Sequence, residues 1–235
     1  MAKGNFIITL VLMLLIVAST SFAGTDKYQW KLADTKDGCQ IYTSVVAGRD
    51  YIAAKTTCVI PARLEVIDTV IRDIANYPEW MESCKETKIL KVVDDQNDVF
   101  IFWLRGYIPL FTDRDIILKS KVIRNTAIGP DLIYAESTND MSYDSDKGYV
   151  RMPSFNILFI LELVDREHTQ VTFLIDPDLG KWVPSGVANL LIKQTPYKSL
   201  MKLMEMVKKS KYIEAAKTSK YNRFLKDDIK AGHLK

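Results

Sequence analysis

Two hydrophobic periodicities follow one another along this chain of 235 residues, and their order constrains the fold more than any other feature. From Lys88 to Asp176, short apolar runs alternate with polar turn clusters, a pattern typical of consecutive strands. These runs cover residues 89–93, 99–107, 115–124, 133–137, 148–161 and 170–176. After Gly186 the apolar residues recur at helical spacing, with lysines between them. The order predicts an α+β fold in which a curved antiparallel sheet wraps around a long C-terminal helix, with a hydrophobic cavity between them.

A shorter helix precedes the strands. We expect it to begin at Pro61, where the missing proline N–H is not needed, and to end before Tyr77, because Pro78 disfavours helical backbone at the preceding residue. Its apolar face carries Leu64, Ile67, Val70, Ile71 and Ile74. In the C-terminal helix, Pro196 either kinks one long helix or restarts it with Thr195 as the cap.

Residues 1–23 have the features of a signal peptide. Lys3 provides a positive start, residues 6–18 are an almost unbroken apolar run, and Ser21 and Ala23 are small residues at the positions that a signal peptidase reads. The alternative is a retained membrane anchor, but the run is shorter than the about 20 residues that span a bilayer. We therefore expect cleavage after Ala23 and an exported protein, periplasmic or secreted.

The cysteines are consistent with an oxidising compartment, where disulfides persist. Cys39 and Cys58 lie on the two arms of a predicted hairpin, and a turn near Gly48 places them opposite each other at cross-strand distance. They are a candidate disulfide, which would leave Cys84 as a free thiol. The alternative is that all three cysteines are unpaired.

Five groups of residues stand in a characteristic order between residues 28 and 207. They are Trp30 with Asp37-Gly38 and Ile41-Tyr42, then Asp73 with Tyr77-Pro78-Glu79-Trp80, then Arg114-Asp115, then Gly148-Tyr149-Val150-Arg151, and last the segment 176–184 followed by Asn189. Together they resemble the START family, the lipid-transfer domains related to the steroidogenic acute regulatory protein, within the helix-grip superfamily. On this resemblance, residues 24–211 form one lipid-binding domain.

The resemblance implies one hydrophobic tunnel under the C-terminal helix. The tunnel would hold a single lipid, and the protein would carry this lipid between membranes. The ligand class includes sterols, hopanoids, fatty acids and phospholipids. The tunnel would open by movement of the helix and of an apolar loop, residues 107–112. Family members that bind sterol often hold its head group with a charged pair. The strand 99–104 carries no charge here, and Arg105 is the nearest candidate.

Arg105 and Arg151 each lie in or beside an apolar strand. An arginine that points into a cavity needs a partner, and a lipid phosphate or carboxylate would provide one in bidentate geometry. The alternative for both is an ion pair at the surface or rim, since charges are rarely fully buried. We expect Arg114 and Asp115 to form a structural pair that fixes the adjoining loop.

The predicted cavity wall consists of aromatic residues and methionine, which offer adaptable apolar surface to a flexible ligand. The candidates are Trp103, Tyr107, Tyr134, Met152, Phe155, Phe173 and Trp182, joined by Leu191, Leu200 and Met204 from the C-terminal helix. The alternative for each is an ordinary core position. Strand alternation also means that Phe102 and Trp103 cannot both face inward.

Enzyme motifs are mostly missing from the sequence. We find no nucleophile elbow, zinc-protease motif, phosphate-binding glycine loop or C-x-x-C, and we expect no catalytic residues, metal or cofactor. The alternative is a helix-grip enzyme related to cyclases or hydratases, which would use Tyr134, Glu136 and Glu162 as acid and base groups. A third possibility is an interaction module whose own side chains fill the cavity.

The net charge of +3 is too small to indicate a nucleic-acid partner. Positive charge is concentrated towards the end of the chain, where residues 208–235 carry eight lysines and one arginine against three acidic residues. We therefore predict that residues 212–235 form a basic tail that contacts anionic membranes transiently. The alternative is a solvated, partly helical tail. We expect a monomer.

Overall fold

The computed structural model describes residues 27–94, 99–124, 130–143, 148–219 and residue 230. The predicted signal peptide, residues 1–23, lies outside the described residues, and so does most of the predicted tail. The strands are β1 Lys31–Lys36, β2 Cys39–Ser44, β3 Ala53–Ile60, β4 Cys84–Asp94, β5 Val99–Gly106, β6 Arg114–Ile123, β7 Asp131–Ser137, β8 Val150–Arg151, β9 Ser154–Leu163 and β10 Thr169–Asp178. The helices are α1 Leu64–Arg72, α2 Tyr77–Trp80, α3 Ser185–Met206 and α4 Ser210–Lys217.

The strands form one sheet in the order β1-β2-β3-β10-β9-β7-β6-β5-β4, with every pair along this path antiparallel. The short strand β8 pairs with the start of β6 in parallel. Pairing between β3 and β10 joins the N-terminal hairpin to the later strands, so that a single sheet can curl around the helices. This is the predicted α+β helix-grip architecture, and the fold-class prediction is confirmed.

The core lies between the inner face of the sheet and the helices. Helix α3 lies across β2, β3 and β10, while α1 packs between α3, α4 and β9. Helical spacing puts Leu64, Ile67 and Ile71 on one face of α1, and all three are buried. The largest fully buried side chains of this core include Trp80, Phe102, Phe159, Phe173, Leu200 and Leu203.

Two prolines delimit the helices differently from the prediction. Helix α1 begins at Leu64 rather than at Pro61, because Ala62 donates its backbone N–H to Ile60 and forms a turn before the helix. Pro78 does not simply end a helix; it stands in the first turn of α2, where a proline needs no hydrogen-bond donor. Pro196 lies inside one continuous helix α3, and the open choice between a kink and a restart is therefore settled against a restart.

The predicted strand 148–161 is divided into β8 and β9. Pro153 stands between them, and its missing N–H interrupts a strand ladder. The predicted tail also begins later than expected, because Tyr212 and Ala216 of α4 are buried in the core. Tyr212 donates a hydrogen bond to Asp73 at 3.0 Å. The folded domain therefore includes α4.

Cys39 and Cys58 form a disulfide across the β2–β3 hairpin. Gln40 pairs with Thr57, so the next positions outward face each other, and their Cα atoms are 4.5 Å apart. Both cysteines are almost fully buried in the core. The bond therefore closes the hairpin beneath the helices.

The first described residues are held to the sheet by Asp176, whose side chain is fully buried. Lys27 forms an ion pair with it at 2.8 Å, Tyr28 donates a hydrogen bond at 2.7 Å, and Arg49 forms a second ion pair. Burial by itself raises the pKa of Asp176, but these donors outweigh it and hold the pKa below its usual range.

Candidate functional site

A cavity lies between the inner face of the sheet and helix α3. Its free volume is about 100 Å³, below the about 300–1,000 Å³ of ordinary ligand pockets. Most of its wall is apolar, and it is lined by Met81, Glu82, Ser83, Cys84, Leu104, Gly106, Tyr107, Ile108, Arg114, Met152, Phe155, Phe173, Ile175, Pro177, Leu179, Leu191, Ile192 and Thr195.

Strand alternation builds this wall. On β10 the inward positions are Phe173, Ile175 and Pro177, two residues apart as a pleated strand requires. Phe173 stacks on Phe159 with ring centroids 4.2 Å apart, and Phe159 is almost fully buried in the core beside it. Helix α3 adds Leu191, Ile192 and Thr195 from the opposite side of the cavity. The Thr195 hydroxyl donates to the Leu191 carbonyl, so it contributes little free polarity to the wall.

Five of the predicted ligand-binding residues line the cavity: Tyr107, Met152, Phe155, Phe173 and Leu191. Leu200 and Met204 lie further along α3, after Pro196, where Leu200 is fully buried and Met204 packs against the core. The ligand-binding role of all of these residues stays a prediction.

Trp103 lies on the opposite face of the sheet from the cavity. Its neighbours Phe102 and Leu104 belong to the inner core, so alternation turns Trp103 outward, where it packs with Ile101 and Ile117. The indole Nε1–H donates to a carboxylate oxygen of Asp115 at 2.7 Å. The prediction chose the wrong phase for this strand.

Arg105 and Arg151 form ion pairs outside the cavity lining, as the alternative interpretation held. Arg105 pairs with Asp113 at 2.7 Å, and its guanidinium carbon lies 3.9 Å from the centroid of the Tyr149 ring. Arg151 donates to both carboxylate oxygens of Asp115 at 2.9 Å. Arg114 and Asp115 do not pair with each other as predicted, because adjacent strand residues point to opposite faces. Arg114 still holds the adjoining loop, through the carbonyl of Thr112.

Four further predicted residues lie away from the cavity lining. Tyr134 stands between Ile133 and Ala135, both of which face the inner core, so its side chain lies on the outer face. Trp182 is 85% exposed in the loop before α3. The proposed acid and base groups are also outside: Glu136 is exposed, and Glu162 accepts a hydrogen bond from Gln170 at 2.6 Å.

The prediction missed the most polar feature of the wall, Arg114. The side chain is only 3% exposed, and its strand phase matches that of Ile116 and Leu118, which face the inner core. Its guanidinium donates to the carbonyls of Thr112, Leu179 and Lys181. The alternation of inward and outward positions along β6 is the sequence signal that identifies Arg114 as an inward-facing residue.

Cys84 is the free thiol of the described residues, and it lines the cavity. Burial raises the pKa of its thiol to about 12, although a backbone hydrogen bond with Glu86 acts in the opposite direction. The thiol is therefore protonated at neutral pH.

In the part of the chain that the structure describes, no helix is long and apolar enough to cross a membrane. The same residues contain no group of three or more histidine, cysteine, aspartate or glutamate side chains placed to hold a metal ion.

Comparison with known proteins agrees with the fold. An uncharacterised protein of Pseudomonas aeruginosa is 27% identical over 184 residues, which cover 77% of this chain and 87% of that protein. The crystal structure of a STAR-related lipid transfer protein fragment from Xanthomonas axonopodis is 23% identical, with a TM-score of 0.67, and covers 77% of this chain and 99% of that one. Human STARD10 is 17% identical with a TM-score of 0.68, over 79% of this chain and 76% of that one.

The sequence profile of the START domain matches residues 18–213, which are most of the chain. This match covers all the strands and helices described above except the end of α4. The chain therefore belongs to the START domain family.

Proposed function

We propose that this chain binds one lipid molecule in its cavity and carries the lipid between membranes. The observation that carries the proposal is the apolar cavity between the sheet and α3, in a chain with the START fold. Transfer of hydrocarbon from water into such a site is favourable by about 25 cal/mol per Å² buried. The name of the Xanthomonas axonopodis relative, a STAR-related lipid transfer protein, supports a lipid as the ligand.

The cavity has to widen before a lipid fits, and we expect helix α3 to bend at Pro196 to allow this. Pro196 has no N–H, so the carbonyl of Ile192, on the cavity wall, receives no helical hydrogen bond from that position. Before Pro196, α3 buries only Ala188 and Ile192. After it, the buried residues are Ser199, Leu200, Leu203 and Met206. The first half of α3 therefore buries fewer residues than the second half, and we expect it to move outward when lipid enters.

Two loops at the rim of the cavity, residues 107–113 and 179–184, are the proposed membrane contact. Leu110 is 99% exposed and Trp182 is 85% exposed, and both have a positive φ. This backbone conformation costs about 1–3 kcal/mol for such residues, so its presence in two exposed apolar residues suggests a function. Lys181 is exposed beside Trp182, and a basic residue next to an aromatic one suits an anionic lipid surface.

The remaining parts of the proposal concern where and in what form the chain acts. The Cys39–Cys58 disulfide supports export to an oxidising compartment, either a periplasm or the medium. We propose a monomer with residue 24 at its N-terminus, which carries no cofactor. N-terminal sequencing of the protein recovered from its native compartment tests whether the chain begins at residue 24. Light scattering of the same protein tests whether it is a monomer.

A pair of neighbouring leucines tests the binding site. Leu191 lines the cavity, whereas Leu190 is 56% exposed on the same helix. Leu191→Trp puts a larger side chain into a cavity of about 100 Å³, so we expect at least tenfold weaker lipid binding, measured by displacement of a neutral fluorescent probe. Leu190→Trp is the matched control and leaves binding unchanged. Equal effects of the two substitutions would remove the cavity as the binding site.

Native mass spectrometry of the purified protein distinguishes a carrier from an interaction module. A carrier retains lipid or takes it up from vesicles, and transfers a fluorescent lipid from donor to acceptor vesicles. A protein that neither retains nor takes up lipid contradicts the proposed function and supports a cavity filled by its own side chains.

The rim contact is tested by vesicle co-sedimentation with and without phosphatidylglycerol. Leu110→Ser combined with Trp182→Ser is expected to weaken binding to the anionic vesicles. The control is Val164→Ser, which removes a 55% exposed apolar residue just after β9, at the other end of the sheet. If all three proteins sediment alike, the rim loops are not the membrane contact.

A further inference from the structure

Arg114 brings a positive charge to an otherwise apolar wall. It is 3% exposed and lies at the start of β6, and it shares the cavity lining with Tyr107, Ile108, Met152 and Leu179. The other charged group of the lining, Glu82, is paired with Lys198 at 3.5 Å and with Lys202 at 2.7 Å. The charge of Glu82 is therefore compensated, and the question is what compensates Arg114.

The three partners of the Arg114 guanidinium are neutral. Nε donates to the Leu179 carbonyl at 3.3 Å, Nη2 donates to the Lys181 carbonyl at 3.0 Å, and Nη1 donates to the Thr112 carbonyl. Among the described residues, no carboxylate lies within ion-pair distance of it. Burial lowers the pKa of Arg114, and the group that acts in the opposite direction is the Tyr51 phenol rather than an acid.

Neighbouring arginines show what is missing at Arg114. Arg105 and Arg151 are more exposed, yet each has an aspartate at 2.9 Å or less. The two acids that flank Arg114 in sequence are engaged elsewhere. Asp113 pairs with Lys85 and Arg105, and Asp115 belongs to the other face of the sheet, where it binds Trp103 and Arg151. A buried cation without an anion is costly, because carbonyl dipoles offset only part of its lost hydration.

Donors for an anion are available. A guanidinium has five N–H groups, and three are used by the carbonyls, which leaves two for a further acceptor. A planar carboxylate or a phosphate matches this donor geometry and would neutralise the charge. From Arg114, the apolar wall continues to Phe173, Ile175 and Ile192, which suits a hydrocarbon chain attached to the anion.

We propose that Arg114 binds the anionic head group, carboxylate or phosphate, of a single-chain lipid and makes the cavity selective for acidic over neutral lipids. This inference rests on the proposed lipid-binding function. The head group lies where the guanidinium joins the two rim loops, and the hydrocarbon chain extends along the cavity under α3. A neutral lipid of the same length fills the same apolar space but leaves the cation uncompensated.

The test compares ligands that share one monounsaturated hydrocarbon chain and carry either a charged or a neutral head group. Oleate is measured against methyl oleate and oleyl alcohol, and 1-oleoyl lysophosphatidate against 1-monooleoylglycerol, all by displacement of a neutral fluorescent probe from the wild-type protein. A charge-assisted hydrogen bond contributes about 1.5–3 kcal/mol, so the acidic member of a pair is expected to bind at least about tenfold more tightly. Preference in one pair alone identifies the head group as carboxylate or as phosphate.

Equal affinity within both pairs overturns the proposal while the lipid-binding function stands. Failure of all five ligands to bind overturns the proposed function as well. Arg114→Gln is expected to reduce the affinity for oleate to that for methyl oleate, with the methyl ester changed by less than about twofold. Arg105→Gln, on the outer face, is the control and keeps the preference. The comparison in the wild-type protein needs no variant, so it decides the proposal even if Arg114→Gln does not fold.

Discussion

Reduction of the Cys39–Cys58 disulfide is expected to destabilise the domain by an amount set by the loop that it closes. The two cysteines are 19 residues apart, and cross-linking a loop of this size removes unfolded-state entropy equivalent to about 3 kcal/mol at 25 °C. For a domain of this size, about 3 kcal/mol corresponds to a fall of about 6–12 °C in the unfolding temperature. The effect belongs mainly to the unfolded chain, since the hairpin keeps its strand pairing in the native state.

The double substitution Cys39→Ala and Cys58→Ala separates this effect from packing. Both side chains are buried in the core, and each loses one atom of about methylene size, worth about 0.8 kcal/mol. We therefore expect the double variant to be about 5 kcal/mol less stable than the oxidised wild type. Its stability should not change when a reductant is added.

Urea unfolding followed by circular dichroism, with and without a phosphine reductant, measures these differences. Cys84→Ala is the matched control, because it removes the free thiol and keeps the disulfide. It should lose the same about 3 kcal/mol on reduction as the wild type does. Unchanged unfolding midpoints after reduction verified by mass spectrometry, or three free thiols in the unreduced protein, would refute the reasoning.

Other predictions address the buried charges and the free thiol. Asp115→Asn removes the carboxylate that binds Trp103 and Arg151, so urea unfolding should show a free energy of unfolding lower by about 2–4 kcal/mol. The control Asp140→Asn changes an exposed ion pair with Lys119 and should cost less than about 1 kcal/mol. Equal losses in the two variants would contradict the role of burial. The pKa of Asp176 is depressed in the folded protein, so its stabilising contribution is present above the unfolded value of about 4 and is lost as pH falls through the folded pKa. Asp176→Asn should therefore flatten the stability profile below about pH 5, and a profile parallel to that of the wild type would contradict this. At pH 8, Ellman's reagent should modify Cys84 about a thousandfold more slowly in the native protein than in urea, because burial raises the thiol pKa to about 12; rates within tenfold of each other would contradict it.

The order of strands and helices could be predicted because it depends on periodicity, which is a local property of the sequence. Alternating runs and a final amphipathic helix leave few ways to bury both apolar faces. The ends of elements were harder to predict where prolines stand. Pro78 opens α2 instead of ending a helix, and Pro153 divides one predicted strand, since the effect of a proline depends on which hydrogen bonds its neighbours make.

The lining of the cavity was predicted less well because inward and outward positions differ by a single residue of strand phase. The aromatic surface of Trp103 predicts a wall position, but Phe102 and Leu104 hold the inward positions of β5. The sequence also predicts a pair between Arg114 and Asp115, although neighbours in a strand face opposite sides. The alternation of residues along β6 determines which face Arg114 points to. This alternation is hard to recognise in the sequence because both faces of the strand carry apolar residues: Ile117 packs on the outer cluster and Ile116 packs on the inner core.

Lys27 and Tyr28 are attached to Asp176, so the freedom of the cavity rim to move would depend on whether the predicted signal peptide, called the leader below, is removed. Asp176 stands on β10 between Ile175 and Pro177, both on the cavity wall, and three residues before the rim residue Leu179. Ala23 precedes Lys27 by four residues, so even a fully extended chain separates them by only about 14 Å. A leader retained in the bilayer would therefore keep the rim permanently beside one membrane, and the protein would act as a fixed acceptor. Cleavage after Ala23 would free the same rim to diffuse, so that for the proposed carrier a single peptide bond would decide between a stationary and a diffusing protein.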